Sequence, residues 1–464
     1  MSRPMRMIFP GEARVPVPSV QDILRADGEA QPEGYTAVSN RTVPNEEIAF
    51  ERYTSQAFFD LEMQRMWPRV WQWACREEHI AQPGDYYVYD VGPYSILLVR
   101  TEQGRIKAYR NACLHRGTKL KPSGSEGSSC ELRCPFHGWT WTLDGQLTRL
   151  PCAWDFPGLK AGDLTLPEVK VGTWGGFVFI NMDPQAIPLD EYLAPMPAYT
   201  RNAHLEDRYV SLHIQKELNC NWKVASEAFV ESYHLMETHP QLMQANGHIG
   251  QYDIFGEHIN RIYVPAAVAS AHLAEQPTQQ QMLDTMVLGD RSALGDAPAV
   301  PAGGSARRVM ADYFRRVIAE NCGVDLSPLS SAEIIDTLGY LAFPNGHFFP
   351  SVSFPIIYRF RPIGNRPDRT LFDLILLNFP QKGQGRPAPA EPVRITAEQS
   401  YTTVPGVDPS FGHIYDQDTG NMQWMQEGMA TSARRTARFA EYQELRIRHI
   451  HSVLDKYLAM PLSR

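Results

Sequence analysis

Residues 111–117 read Asn-Ala-Cys-Leu-His-Arg-Gly, and residues 134–139 read Cys-Pro-Phe-His-Gly-Trp. Together they give Cys113-x-His115, a gap of 18 residues, then Cys134-x-x-His137. Each pair offers one thiolate and one imidazole. A structural zinc site uses such donors. So does a [2Fe–2S] cluster in which two histidines replace two cysteines on one iron. Zinc fingers pair like with like, Cys with Cys and His with His. Here both pairs are mixed, which favours the cluster, with Cys113 and Cys134 on one iron and His115 and His137 on the other. Gly117, Pro135 and Gly138 allow tight turns in which backbone N–H groups can point at sulfur. Such a cluster stores one electron, at roughly −150 to +300 mV, and breaks no bonds itself.

Residues 231–239 read Glu-Ser-Tyr-His-Leu-Met-Glu-Thr-His. Taken alone this is a weak signal. His234 and His239 are five apart and diverge on a regular α-helix. No His-Glu-x-x-His supports a zinc protease. Beside an electron-storing cluster the segment gains weight. Two histidines and one carboxylate make the facial triad of non-haem Fe(II) oxygenases, which leaves positions open for O₂.

The two cluster motifs resemble those of Rieske-type non-haem iron oxygenases, specifically the alpha (terminal oxygenase) subunit of the aromatic-ring-hydroxylating kind. Respiratory Rieske proteins carry an extra cysteine beside each ligand pair; here those positions are not cysteine, and Cys130 fits neither. The stretch 221–240, from Asn221-Trp222-Lys223 to Pro240, resembles the family's iron segment. The resemblance implies that His234 and His239 bind mononuclear iron across a local distortion of the helix. It implies a third ligand in residues 411–429, where Asp418 precedes Gln426 and Gly428; Asp416 is the alternative. Glu231 falls where the family usually has an aspartate that links one subunit's cluster to the next subunit's iron in a ring of three. Ala228 stands where many members carry asparagine. Phe229, Leu235, Met236 and Phe349 are pocket-lining candidates that would serve equally as core.

These sites need elements to hold them. Residues 82–113 alternate short β-rich runs with Gly/Pro turns, the pattern of a small antiparallel unit, and it continues through 138–150. Asp144-Gly145 is a hairpin signal, and residues 171–184 read as one further strand. Ahead of them, Phe58, Leu61 and Met66 suggest one apolar helical face. Residues 221–239 look helical up to Pro240. Strand-like runs return at 351–364 and 368–380, and residues 295–308 and 381–394 read as loops. A last helix spans about 433–458, with Phe439, Tyr442, Leu445, Ile450, Val453 and Tyr457 on one stripe and an Arg/Glu-rich face opposite. The expected fold is α+β. A small antiparallel-β Rieske [2Fe–2S] module precedes a larger catalytic domain, which the resemblance implies is a helix-grip fold. The divisions are 1–45, an N-terminal arm; 46–175, the Rieske domain; and 176–464, the catalytic domain, with 250–340 covering the active site.

Net charge is −8, with no Lys/Arg-rich run, which argues against nucleic-acid binding. The apolar runs are too short to cross a bilayer, so a cytoplasmic location is expected. Seven scattered cysteines make a poor disulfide framework. No GxGxxG fingerprint is present, so electrons from NAD(P)H would arrive through a separate reductase, with or without a ferredoxin. The resemblance implies an α3 or α3β3 assembly that uses O₂ to hydroxylate or dihydroxylate a hydrophobic, aromatic small molecule. The alternatives are a monooxygenase or O- or N-demethylase acting on a non-aromatic substrate, and a Rieske electron-transfer protein without oxygenase activity.

Overall fold

Glycine turns cut the first half of the chain into short strands. In the computed structural model, which describes residues 17–286 and 298–461, a seven-stranded antiparallel sheet runs in the order Gln72–Arg76, Phe177–Asn181, Glu168–Trp174, Ile106–Arg110, Tyr94–Arg100, Asp85–Val91, Glu126–Ser128. The segment expected as one strand at 171–184 contains a turn. Glu168–Trp174 and Phe177–Asn181 pair across Gly175 and Gly176, at φ 58° and 78°. Two adjacent left-handed residues are what a type I′ hairpin needs, and glycine meets that need without strain. A three-stranded sheet (Leu132–Arg133, Thr140–Trp141, Leu147–Arg149) carries the second cluster motif. Its Asp144-Gly145 turn forms as expected: Gly145 has φ 80°, and a Cβ there would lie 2.8 Å from the Tyr109 ring.

The second half is built on an eight-stranded sheet. Its order is Gln251–Phe255, Ile259–Val264, Thr337–Ala342, Gly346–Phe349, Ile356–Pro362, Thr370–Asn378, Tyr209–Leu218, Val393–Ile395, antiparallel except for the last pair. Val393 and Arg394 of the last strand fall within the segment expected to be loop. Helices Trp222–Glu227 and Pro409–Thr431 lie on this sheet and touch each other. Asp408 starts the longer one by accepting from the N–H groups of Ser410 and Phe411, with Pro409 in the first turn. The segment expected to cover the active site, 250–340, supplies the strands Gln251–Phe255 and Ile259–Val264 and enters Thr337–Ala342, with helices Gln279–Met286, Ala306–Cys322 and Ser331–Ile335 between them; the expected loop at 295–308 begins outside the described residues and ends in helix from Ala306. Residues 1–16 of the arm also lie outside them. The rest of the arm includes a helix, Val20–Asp27, whose Val20, Ile23 and Leu24 are buried.

The buried face of Gln56–Arg65 and its continuation is Phe59, Glu62, Met63 and Met66, with Phe58 and Leu61 only partly buried. Met66 is buried as expected, while Phe58 and Leu61 pack at the edge of the core that Phe59 and Met63 enter. The last helix, Leu445–Ala459, packs Ile447, Ile450, Val453 and Leu454 onto the same core as Phe59, Met63, Ile96 and Leu98, so the two halves share one interior. It starts later than expected: Thr436–Ala437 instead pairs with Ile48–Ala49. Its expected solvent face is also inside. Arg446 donates to the Asn260 side chain and the Val230 carbonyl, and Arg448 to the carbonyls of Val43 and Pro44. Carbonyls from distant segments and the Asn260 amide oxygen accept from part of each guanidinium, which a helical periodicity cannot reveal. Among the described residues no helix is long and apolar enough to cross a membrane.

Candidate metal centres

The two cluster motifs fold into matching loops. The Cys113 carbonyl accepts from Gly117 N–H at 2.9 Å, and its own N–H donates to Thr118 at 2.8 Å; the Cys134 carbonyl accepts from Gly138 at 3.1 Å, and its N–H donates to Trp139 at 2.8 Å. Gly117 and Gly138 close them at φ 77° and 72°, a conformation that disfavours a side chain. The histidine is two residues after the cysteine in one loop and three in the other, yet both rings meet: their Nδ1 atoms are 3.2 Å apart. His115 stacks on Trp139 at 5.1 Å between ring centres. Both cysteines are buried, while His137 is exposed and His115 half-buried. Burial pushes the Cys113 thiol up, the backbone N–H groups of His115 and Arg116 pull it down, and the adjacent Cys134 thiol pushes it up again. Two buried sulfurs with N–H groups aimed at one of them, capped by two outward imidazoles, fit a mixed-ligand [2Fe–2S] cluster.

The second centre depends on a broken helix. Asn221 caps Trp222–Glu227 by accepting from Lys223 N–H at 3.0 Å. The helix stops at Ala228, and a second short helix, Leu235–Thr238, begins only after Glu231 has accepted hydrogen bonds from the N–H groups of Tyr233 and His234. Pro240 follows, and His239 has left helical geometry at φ −129°, ψ 55°. The segment is therefore not the continuous helix its pattern suggests. The break is what lets residues five apart converge: the His234 and His239 rings lie 5.3 Å apart.

Asp418, buried in the middle of Pro409–Thr431, meets them. Its Oδ1 is 2.7 Å from His239 Nε2 and 3.5 Å from His234 Nε2, and one donor atom from each of the three residues falls within 4.8 Å of the others. Asp416 faces elsewhere, accepting from Ser400 and from Tyr401 N–H, with Lys216 at 3.9 Å. Each histidine is held from behind: His234 Nδ1 is 2.6 Å from Glu231 Oε1, and His239 Nδ1 is 3.0 Å from Gln417 Oε1. With Nδ1–H donating outward, each Nε2 turns its lone pair to the centre, as a metal-bound imidazole requires. Burial works against the His234 imidazolium, but the Glu231 carboxylate and then Asp418 hold its pKa above the usual histidine value. Two neutral-capable imidazoles and a carboxylate on one side suit Fe(II) with open positions opposite, and these residues fit it.

Sequence reasoning missed Gln417, which is separated from His239 by 178 positions; nothing but its place beside Asp418 could have marked it. It also gave no role to Gln426, which accepts from Asn221 N–H at 2.9 Å and so ties Asp418's helix to the cap of the histidine-bearing segment. Lys223 and Trp222 both donate to Glu62, at 2.6 and 3.0 Å, fixing that segment to the helix ahead of the β module. Phe229 is half-buried, its ring against Tyr358, Phe360, Phe372 and Tyr415, with Ala228 in the same cluster. Phe349 is 4.9 Å from Tyr358, and Leu235 and Met236 are half-buried on the short helix.

Comparison with known proteins agrees with this architecture. Residues 70–160 match the Rieske [2Fe-2S] domain, and residues 202–460 match the ring hydroxylating alpha subunit (catalytic domain). The glycine betaine monooxygenase oxygenase subunit of Pseudomonas aeruginosa (strain UCBPP-PA14) is 29% identical over 198 residues, 41% of this chain and 44% of that protein. The benzene 1,2-dioxygenase subunit alpha of Pseudomonas putida is 34% identical over 190 residues, 39% of this chain and 42% of that protein. The matched stretch thus spans less than half the length of either relative. Among solved structures, a quaternary ammonium Rieske monooxygenase in complex with L-carnitine has a TM-score of 0.62 at 17% identity, covering 90% of this chain and 99% of that one. Naphthalene 1,2-dioxygenase with indole bound in the active site has a TM-score of 0.63 at 16% identity, covering 89% and 92%. The catalytic-domain match takes in more than half of the sequence, and the chain belongs to the ring-hydroxylating alpha-subunit family, with a Rieske [2Fe–2S] domain ahead of its catalytic domain.

Proposed function

We propose that the chain is the terminal oxygenase component of a multi-component system, a Rieske non-haem iron oxygenase. It takes electrons from NAD(P)H through a separate reductase, with or without a ferredoxin, and hydroxylates or dihydroxylates a hydrophobic aromatic small molecule. Cys113, His115, Cys134 and His137 would hold the cluster, and His234, His239 and Asp418 the mononuclear iron. When bound, that iron supplies O₂ activation. The chain's own residues do the rest: Glu231 and Gln417 hold the two imidazoles in the ligating tautomer, and Phe229, Phe349, Leu235 and Met236 supply apolar surface for the substrate. The single observation that carries this reading is the convergence of His234, His239 and Asp418 behind a Rieske domain in one chain.

Glu231 is further assigned the bridge to a neighbouring subunit's cluster in a homotrimer, alone or with a β subunit. Its hold on His234 supports the near half of that bridge. A cytoplasmic location is part of the same proposal. A second reading, monooxygenation or demethylation of a quaternary ammonium compound, is favoured by the glycine betaine relative and the L-carnitine complex. O₂ uptake with a generic reductase separates the two, with benzene, biphenyl and naphthalene in one arm and glycine betaine and carnitine in the other. Substrate-dependent uptake and product with the aromatic arm supports the first reading; turnover confined to the second arm overturns it. No uptake in any arm from a protein with both metal centres loaded would leave the electron-transfer alternative standing.

A further inference from the structure

The catalytic domain holds an unusual pair of phenols. Tyr358, on strand Ile356–Pro362, and Tyr415, on helix Pro409–Thr431, place their hydroxyl oxygens 2.5 Å apart. Both side chains are buried. A phenol has one hydrogen to give and can also accept. One of the two therefore donates to the other, and the recipient's own hydrogen is left over. No described residue accepts it. A buried donor without an acceptor is rare in folded proteins and disfavoured.

The surroundings say where that hydrogen is useful. Tyr415 lies one helical turn before Asp418, so both project from one face of the helix. Phe360 and Phe372 against Tyr358 are fully buried. Phe229, which packs on both of those rings, and Phe349 each lie 4.9 Å from Tyr358 and are only half-buried. Phe229 belongs to the broken segment that carries His234. The spare donor thus sits in an aromatic cluster that runs from fully buried Phe360 and Phe372 to half-buried Phe229 and Phe349, one helical turn from the triad's Asp418.

We propose that the Tyr358–Tyr415 pair is a specificity-determining hydrogen-bond donor, and that the preferred substrate is an aromatic ring bearing an oxygen acceptor rather than a bare hydrocarbon. The inference rests on the oxygenase reading above and narrows its substrate class. A substrate oxygen takes the free phenol hydrogen and orients the ring against Phe229 and Phe349. A hydrocarbon of the same shape leaves the donor buried and unpaired, and a site built around a hydrogen bond rejects such an analogue.

The test uses two near-isosteric probes, 2-methoxynaphthalene and 2-ethylnaphthalene, which differ by an oxygen in place of a methylene. Dissociation constants are measured without O₂, by tryptophan fluorescence, for the metal-loaded wild-type chain and for Tyr358→Phe, Tyr415→Phe and the double variant. Iron content and the reduced-cluster EPR signal are recorded alongside. The wild type binds the methoxy probe about tenfold more tightly, the scale of one neutral hydrogen bond. The double variant binds both probes alike, with iron and cluster unchanged. The single variant that removes the terminal phenol behaves like the double. Equal affinities in the wild type, no binding of the methoxy probe, or a preference that survives in the double variant overturns the proposal. Absence of the mononuclear iron or of the cluster signal in the wild type would instead sink the oxygenase reading itself.

Discussion

Glu231→Gln changes one atom and one charge, and the structure says what that removes. The glutamate uses both oxygens: Oε1 holds His234 Nδ1 at 2.6 Å, and Oε2 accepts from the N–H groups of Tyr233 and His234. Glutamine has one oxygen. It can keep the imidazole or the backbone turn, but its amide NH₂ faces a donor in the other place. One charge-assisted hydrogen bond is lost, about 1.5–3 kcal/mol. That converts to a roughly 10- to 150-fold weaker hold on mononuclear iron, in line with the effect of removing a group that orients a metal ligand. If Glu231 also carries electrons between subunits, single-turnover product formation at saturating iron falls further than the affinity does. Iron affinity is read by competition with a chelator, and turnover by product formed from the pre-reduced enzyme. Unchanged iron affinity would refute the role of the 2.6 Å contact. Full wild-type turnover once iron is restored would refute the bridge.

Two further perturbations probe the support around the triad. Gln417→Ala removes the acceptor behind His239 and should weaken iron binding roughly tenfold while leaving the reduced-cluster signal untouched; chelator competition on the purified protein decides it. Glu62→Ala strands the Lys223 ammonium in a fully buried position and should lower unfolding stability by about 3–5 kcal/mol, whereas Glu62→Met with Lys223→Met should recover most of it; urea midpoints at constant m-value measure both.

What could be read from the sequence was local chemistry. The cluster ligands sit in two short motifs whose residue types and glycines already specify two tight loops, and the structure folds them as a matched pair. The Gly-Gly pair at 175–176 was equally local, yet its runs of β-formers on both sides hid the turn. The broken iron helix was not readable from periodicity, because the break is held by a side chain capping its own backbone at Glu231 and by Arg446 reaching the Val230 carbonyl from 216 positions away. The same holds for Gln417 and Gln426, whose amides act across long sequence separations. Arg446 and Arg448 misled for a related reason. Charge on a helix argues for solvent only when no carbonyl is waiting inside.

The most direct test is metal analysis with EPR on the wild type and on His234→Ala. The wild type should hold about three iron atoms per chain, two in a [2Fe–2S] cluster and one at the triad, and should give the rhombic signal of a mixed-ligand cluster when reduced. His234→Ala should lose the third iron and all turnover while keeping that signal. A wild type that holds zinc and no such signal, or a variant that still turns over, would contradict the account.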